Sequence, residues 1–421
     1  MGKPNTAGMV AYVDARLLDP ATGLDAKGAL LTNGEIIADV GPGLFQGGVP
    51  SGIEVVDCAG LCLAPGLVDM RVQLREPGEE HKETLKTAGE AAVAGGVTSM
   101  VCLPNTDPII DEVATVEFVA RRARKNGLAK VYPYAAATKK LEGRELSEMG
   151  FLQEAGALAF TDGIKAIADS QVMRRALSYA ATFGALIVQH PEDPALAGSA
   201  VMNAGEQATR MGLSGIPPEA EVIILERDMR LVAMTGGRYH AAHVSTAAGI
   251  EVIREAKAQG LAVSCDTAPP YFALNELEVN NYRTFAKLSP PLRGEADRLA
   301  VIRGLEDGTI DAVASDHAPQ DEDAKRQTFA AAEFGGIGLE TLLAATLGLV
   351  HTGSLKMLDA LALLTCKPAG LLGLSAGRLA VGAAADLVLF DAERGWQVDP
   401  AKFKSKSKNS PFDGRPMQGV V

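Results

Sequence analysis

The chain predicts an α/β protein, a TIM-type (β/α)8 barrel with a small β-sandwich domain built from both termini. Three observations carry this expectation. The 421 residues are 47% hydrophobic, enough to bury a sizeable core without disulfide staples. From Pro65 onward, short apolar runs alternate with helical stretches over about 300 residues, the pattern of a parallel sheet with crossover helices. Both ends of the chain read instead as short strands joined by tight turns. The expected division is 1–64 with 372–421 for the small domain and 65–371 for the barrel.

In chain order, the first strands are expected at Val10–Val13, Ala29–Thr32 and Glu35–Val40. Asn33-Gly34 between the last two is a two-residue hairpin signal. Barrel strands are expected at Thr98–Leu103, Ala157–Phe160, Leu186–Gln189, Arg238–His243, Ala262–Cys265 and Ala312–Ala314, after an opening segment Gly66–Met70. The helices between them are expected over Lys82–Ala94, Glu112–Asn126, Ser170–Thr182, Glu221–Thr235 and Ala247–Gln259. The apolar stretch Gly335–Val350 carries Glu340 and reads as a buried helix rather than a membrane span. After Leu374 the β pattern returns in Asp386–Asp391 and Gly395–Val398. Arg121-Arg122-Ala123-Arg124-Lys125 is the densest basic run and reads as a solvated helix face. His81 is expected near a helix start, His240 on a strand and His351 in a loop.

Composition excludes several classes. A net charge of −12 and a pI near 5.1 disfavour nucleic acid and anionic membranes as partners, because the balance repels phosphate. The five cysteines have no framework: Cys58 and Cys62 are spaced C-x3-C, with no second pair to close a structural zinc site. Isolated cysteines of this kind suit a reducing cytoplasm. Met1 to Thr6 fits a myristoylation signature, a short and commonly matched pattern. No signal peptide is expected at the start. Self-association is expected.

In a barrel the chemistry lies at the C-terminal ends of the strands. Those ends carry Arg71, Gln73 and Arg75, then Asn105, Asp162 and Gly163, then His190, His243 and Asp316. Two histidines and an aspartate on late strands are what a metallohydrolase uses, neutral imidazoles to hold the cation and a carboxylate to take a proton from water. His317 reads as structural. Lys165 invites a carbamate reading, but it does not fall at the lysine position of the family that the motifs below resemble. No Ser-His-Asp or Cys-His constellation emerges, and Phe334–Gly338 has no basic partner for phosphate.

Several segments together resemble the dihydroorotases of the amidohydrolase superfamily. They are Pro65–Gly78, His81-Lys82-Glu83-Thr84, Pro104-Asn105-Thr106, Gly215–Glu221, His240–Ser245, Pro290–Arg293, Asp316-His317-Ala318-Pro319 and the tail Lys404–Gly414. The resemblance runs through nearly the whole chain in order. It implies the barrel with its small β domain, and a zinc site at the barrel mouth. It also implies that Arg75 and Asn105 bind the carboxylate of dihydroorotate, an acidic pyrimidine.

The departures from the family pattern are specific. Where members carry His-x-His after the first strand, this chain has Arg71-Val72-Gln73. Where they carry a bridging aspartate or carboxylated lysine, it has Gly163. Ser289 stands for an asparagine, Gln320 for a histidine, and Pro270-Tyr271 for a pair of histidines. His190, His243 and Asp316 remain at matching positions as the residual metal ligands. Arginine cannot be deprotonated under ordinary conditions, so Arg71 cannot ligate zinc and its charge opposes a nearby cation. Arg71 and Gln73 are therefore expected to replace the metal, with Arg71 paired to Asp316 either directly, a bidentate fork being the strongest form, or through one water.

The resulting expectation is a pseudo-dihydroorotase of pyrimidine biosynthesis without a cofactor, in which Asp316 is a vestigial general base. By resemblance, its partner is aspartate transcarbamoylase. The alternative is an active amidohydrolase with one zinc on His190, His243 and Asp316, opening the cyclic amide of dihydroorotate or a related ureide. A third reading is a sensor that holds an acidic pyrimidine on Arg75 and Asn105 without turning it over.

Overall fold

Eight parallel strands close around a common axis in a computed structural model that describes residues 8–421. They are β1 (Leu67–Val72), β2 (Val97–Cys102), β3 (Lys130–Pro133, continued by Ala135–Ala136), β4 (Phe160–Thr161), β5 (Leu186–Gln189), β6 (Arg238–Ala241), β7 (Val263–Thr267) and β8 (Ala312–Val313). Each pairs with the next in parallel. The ring closes where Val72 bridges His317 and the Gln73 amide donates to the His317 carbonyl at 2.8 Å. The chain is therefore a (β/α)8 barrel. The Met1–Thr6 myristoylation motif lies outside the described residues.

The barrel interior explains the unbroken apolar runs. Val68, Met70, Val101, Leu186, Val188 and Ala314 form an inner cluster, sealed by Ala369 and Leu372 of the helix Cys366–Leu372. Buried on both faces, such strands need no polar alternation. The crossover helices include α1 (Leu85–Ala94), α2 (Val113–Asn126), α3 (Met149–Glu154), α4 (Ser170–Ala181), α5 (Glu219–Thr235) and α6 (Ala247–Ala258). Thr84 and Thr87 cap α1 reciprocally, and Asp169 caps α4 by accepting from the amides of Gln171 and Val172. Gly66 allows the chain to enter the barrel, since a Cβ there would lie 2.2 Å from the Thr98 side chain.

Both termini supply one seven-stranded sheet. Its order is Pro416–Val420, Leu387–Gln397, Cys62–Pro65, Met9–Asp19, Leu24–Asn33 and Ile36–Gly41, with Glu54–Asp57 alongside Met9–Asp19. The Asn33-Gly34 hairpin forms with Asn33 opposite Ile36, and Gly34 takes a φ of +59°. Asp386–Asp391 and Gly395–Val398 form a single strand with an irregular register between Asp391 and Gly395. Several strands were not expected: the short Glu54–Asp57, Cys62–Pro65, Met202–Asn203 and Gly215–Ile216, β3, interrupted by Pro133, and Pro416–Val420, which begins on a proline. His351, expected in a loop, is the last residue of the helix Leu342–His351. Among the described residues no helix is long and apolar enough to cross a membrane.

Polar ties hold the tail and the late loops over the barrel mouth. Buried Glu83 accepts from the hydroxyls of Thr87 and Ser405 and, at 3.1 Å, from the Lys406 amide. Asn409 donates to the Gly335 carbonyl at 3.0 Å. Buried Lys287 donates to the carbonyls of Phe329 and Ala330 at 2.9 Å and sits 4.6 Å from the centre of the Phe334 ring. Buried Lys325 donates to the carbonyls of Glu333, Thr284 and Lys287 at 2.6, 3.2 and 3.4 Å. These lysines fasten the segment after β8 to the segment after β7.

Burial pushes the Lys325 ammonium down to about 7; the Lys287 charge adds to this and Glu333 opposes it. The unfolded chain therefore binds more protons than the folded one between that value and the ordinary lysine range. Stability from this group rises as pH increases through that window. Urea unfolding between about pH 7 and 10 should show this rise in the native chain and a flatter profile in Lys325→Met.

Candidate site at the barrel mouth

The mouth is built from side chains at the ends of six strands. Arg71 is the fifth residue of β1, buried throughout, with its Nε 3.5 Å from Asp316 Oδ1 after β8. Its Nη2 donates to the Gly163 carbonyl after β4 at 3.2 Å. The ion pair with Asp316 is direct, but it is one longer contact and not the bidentate fork. The fork is prevented because the rest of the guanidinium turns toward β4. Among the described residues, Arg71 Nε and Nη1 have no hydrogen-bond partner.

Asp316 also lies 3.1 Å from His243 Nε2, and His243 Nδ1 lies 2.9 Å from Asp266 Oδ1. Asp266 stands on β7, accepts the His243 backbone amide at 2.8 Å and meets His240 Nε2 at 2.9 Å. His240 in turn contacts Ser264 Oγ at 2.7 Å. A continuous polar chain thus crosses the barrel from Ser264 through His240, Asp266, His243 and Asp316 to Arg71. Asp266 was absent from the sequence candidates, although a carboxylate at the end of an apolar strand run was a legible signal.

The electrostatics follow from this order. Burial opposes the charged form of His243, but Asp316 and Asp266 on either side outweigh it and raise its pKa, against the charge of Arg71. Burial opposes ionisation of Asp316 as well, yet His243 and Arg71 lower its pKa overall. Asp266 is held far below the usual carboxylate range by its two histidines, despite complete burial. His190 goes the other way: burial, then the charges of Arg71 and His243, push it down to about 3. His190 is therefore a neutral imidazole at ordinary pH, with Nε2 3.3 Å from Ser289 Oγ and Nδ1 unpartnered among the described residues.

The remaining candidates are engaged with one another. Asn105 Nδ2 donates to Gln73 Oε1 at 3.1 Å, and a Cβ at Gly163 would lie 3.6 Å from Asn105. Arg75 is buried, donating from Nη1 to Glu79 at 2.8 Å and from Nε to the Pro319 carbonyl at 3.1 Å. Asp162 accepts from the Thr138 amide at 2.9 Å and hydroxyl at 2.5 Å and faces away from the charged chain. Gln320 donates to the Phe334 carbonyl at 2.8 Å. Tyr271 donates to the Pro290 carbonyl at 2.9 Å, with its ring centre 6.4 Å from that of His243. His317 is buried, accepting the Gly338 amide at 3.2 Å and standing 3.5 Å from Glu83, while His81 is exposed beside Asp321. A cavity of about 780 Å³ opens beside these groups, lined by Arg144, Lys165, Asp169, His190 and Glu192.

The residues at the mouth do not fit a zinc centre. A guanidinium occupies the β1 side and cannot coordinate a cation. Both nitrogens of His243 face carboxylates, and among the described residues no three His, Cys, Asp or Glu side chains converge as a ligand set.

With this geometry in view, the similarities are informative. The Dihydro-orotase-like family pattern matches residues 60–248. A dihydroorotase of Anaplasma phagocytophilum is 46% identical over 98% of this chain and 92% of its own length. A dihydroorotase of Citrifermentans bemidjiense is 45% identical over 96% and 95%. Among solved structures, the L-hydantoinase (dihydropyrimidinase) of Arthrobacter aurescens superposes with a TM-score of 0.86 at 25% identity, covering 98% of this chain and 93% of that one. The dihydropyrimidinase of Brevibacillus agri gives 0.82 at 22% identity and shares the fold.

Removing Arg71 takes from buried Asp316 one of its two cationic neighbours. Arg71→Met should lower unfolding free energy by about 3 kcal/mol, the usual loss when one partner of a buried pair is deleted. In urea titrations, the loss in Arg71→Met/Asp316→Asn should be smaller than the sum of the two single losses.

Proposed function

Because this chain belongs to the dihydroorotase-like family, we propose that it is a non-catalytic dihydroorotase homologue of pyrimidine biosynthesis, with Arg71 standing where its relatives' pattern places a metal ligand. One observation carries the reading: the buried Arg71 guanidinium sits 3.5 Å from Asp316 and donates to Gly163, the position of the bridging carboxylate in the family pattern. Hydrolysis of a cyclic amide needs an activated water and a polarised carbonyl. Asp316, the residue suited to take the water's proton, is committed to His243 and Arg71. Arg75 and Asn105, the pair expected to hold a carboxylate, are turned to Glu79 and Gln73.

Aspartate transcarbamoylase is the partner this reading assigns, on the family resemblance alone. The retained barrel then acts as a body to dock against.

A second reading is favoured by a separate observation. Relatives that match almost the whole chain at 44–46% identity bear the name dihydroorotase, which weighs toward an active hydrolase. His190, His243 and Asp316 still share the mouth beside a polar cavity. That reading requires Arg71 to leave Asp316 so that these three can hold one zinc.

The deciding measurement is elemental analysis of the purified chain, with dihydroorotate turnover assayed with and without added zinc. The proposal expects neither stoichiometric zinc nor turnover, and co-purification with aspartate transcarbamoylase. Stoichiometric zinc with turnover would overturn it in favour of the hydrolase. Arg71→His/Gln73→His/Gly163→Asp, which rebuilds the family's ligand set, should gain zinc in the same analysis. Gly163 has a φ of +71°, a conformation that aspartate tolerates better than most residues.

A further inference from the structure

A cleft of about 530 Å³ lies between the helix Leu342–His351 and the strand pair Leu387–Gln397 and Pro416–Val420. No residue of the polar chain at the mouth lines it. The helix side offers only small side chains, Ala344 and Ala345, and then Gly348. The strand side offers Trp396, whose indole N–H donates to the Gly419 carbonyl at 2.8 Å and so fixes the ring. Buried Phe412 of the C-terminal tail completes the apolar lining.

Gly348 needs an explanation that the fold does not supply. Inside a helix, glycine is markedly less favourable than alanine. Gly348 is not in a left-handed conformation, and a Cβ there would meet nothing within 4 Å. Neither backbone geometry nor internal packing calls for glycine. What glycine provides is open space over the helix backbone, on the side of the cleft. One turn further on, His351 also lines the cleft, and its buried Nε2 has no hydrogen-bond partner among the described residues. A buried polar atom is normally met by a partner.

Charge narrows the choice of occupant. The chain carries a net charge of −12, yet no aspartate or glutamate lines this cleft and Arg415 does. Arg415 meets Glu278, but Arg283 meets the same carboxylate at 3.2 Å, so two guanidinium groups share one acid. Exposed Asp413 makes an ion pair with neither among the described residues. A concave, mostly apolar site of this volume with a few polar groups has the build of a small-molecule pocket. Fixed rings above a floor of small residues suit a flat apolar body. A guanidinium with donors to spare suits an acid group, whereas a cationic ligand would find no carboxylate.

We propose that this cleft binds an amphiphilic organic anion, its flat apolar body over Gly348 against Trp396 and its acid group on Arg415. The site is separate from the mouth, so the proposal stands whether or not the mouth is catalytic.

Trp396 is the only tryptophan of the chain, so its emission reports on the cleft directly. Titration of the full chain with phenylbutyrate, and separately with the uncharged phenylbutanol, tests the proposal. The acid should change the emission saturably and bind about fivefold more tightly than the alcohol, near the most that a partly exposed ion pair adds. Arg415→Gln should bring the two affinities together. Gly348→Leu fills the open space and should abolish the response to both, while its circular-dichroism melt lies at or above that of the native chain because leucine favours helix. Arg415 is partly exposed, so its variant tests the proposal independently of packing at Gly348. The proposal is overturned by an unsaturable or absent response to the acid, by equal affinity for acid and alcohol in the native chain, or by a response that survives Gly348→Leu. Emission that shifts with protein concentration in the absence of either probe would give the cleft to a second copy of the chain and overturn it as well.

Discussion

The guanidinium of Arg71 is the charge on which the arrangement of the barrel mouth depends. It is buried, it cannot lose its proton, and it faces a carboxylate that is shared with a histidine. Isolated charges are costly in such a setting, and they persist only where neighbours complete them. Here Asp316 opposes the charge of Arg71 and the Gly163 carbonyl accepts from its Nη2, while Nε and Nη1 make no hydrogen bond among the described residues. His243 and Asp266 complete Asp316, and His240 with Ser264 completes Asp266. Charges alternate along this chain, so each group lowers the cost of burying the next.

Arg71 opposes protonation of both histidines of the mouth, and the carboxylates separate them. His243 lies between Asp316 and Asp266 and is drawn toward the protonated form, whereas at His190 burial, Arg71 and His243 outweigh Asp316 and keep the ring neutral. The loops that hold them are correspondingly fastened. Lys325 and Lys287 tie the segment after β8 to that after β7, and Glu83 and Asn409 bring the C-terminal tail across.

Much of the fold was legible because it depends on short-range pattern. The run Leu186–Gln189 gave its strand end for end, and Ser170–Thr182 and Ala247–Gln259 gave their helices to within a residue. Pattern failed where a strand was interrupted, as at Pro133, or began on a proline, as at Pro416. The buried helix expected over Gly335–Val350 begins only at Leu342 and runs one residue further, to His351, because a helix buried on nearly every side lacks the polar stripe that marks its bounds.

The sequence by itself determined the barrel, the sheet of both termini, and which side chains stand at the mouth. Arginine at 71 cannot ligate a cation, and glycine at 163 has no side chain to do so. Tertiary structure alone decided where the replacing charge points. Asp266 became the hub of the polar chain, and Arg75 closed on Glu79 and not on the cavity. Side-chain identity bounds the chemistry, and periodicity reports a residue's near neighbours. A buried charge takes its partners from strands far apart in sequence, and only the closing of the barrel brings those within a few ångströms.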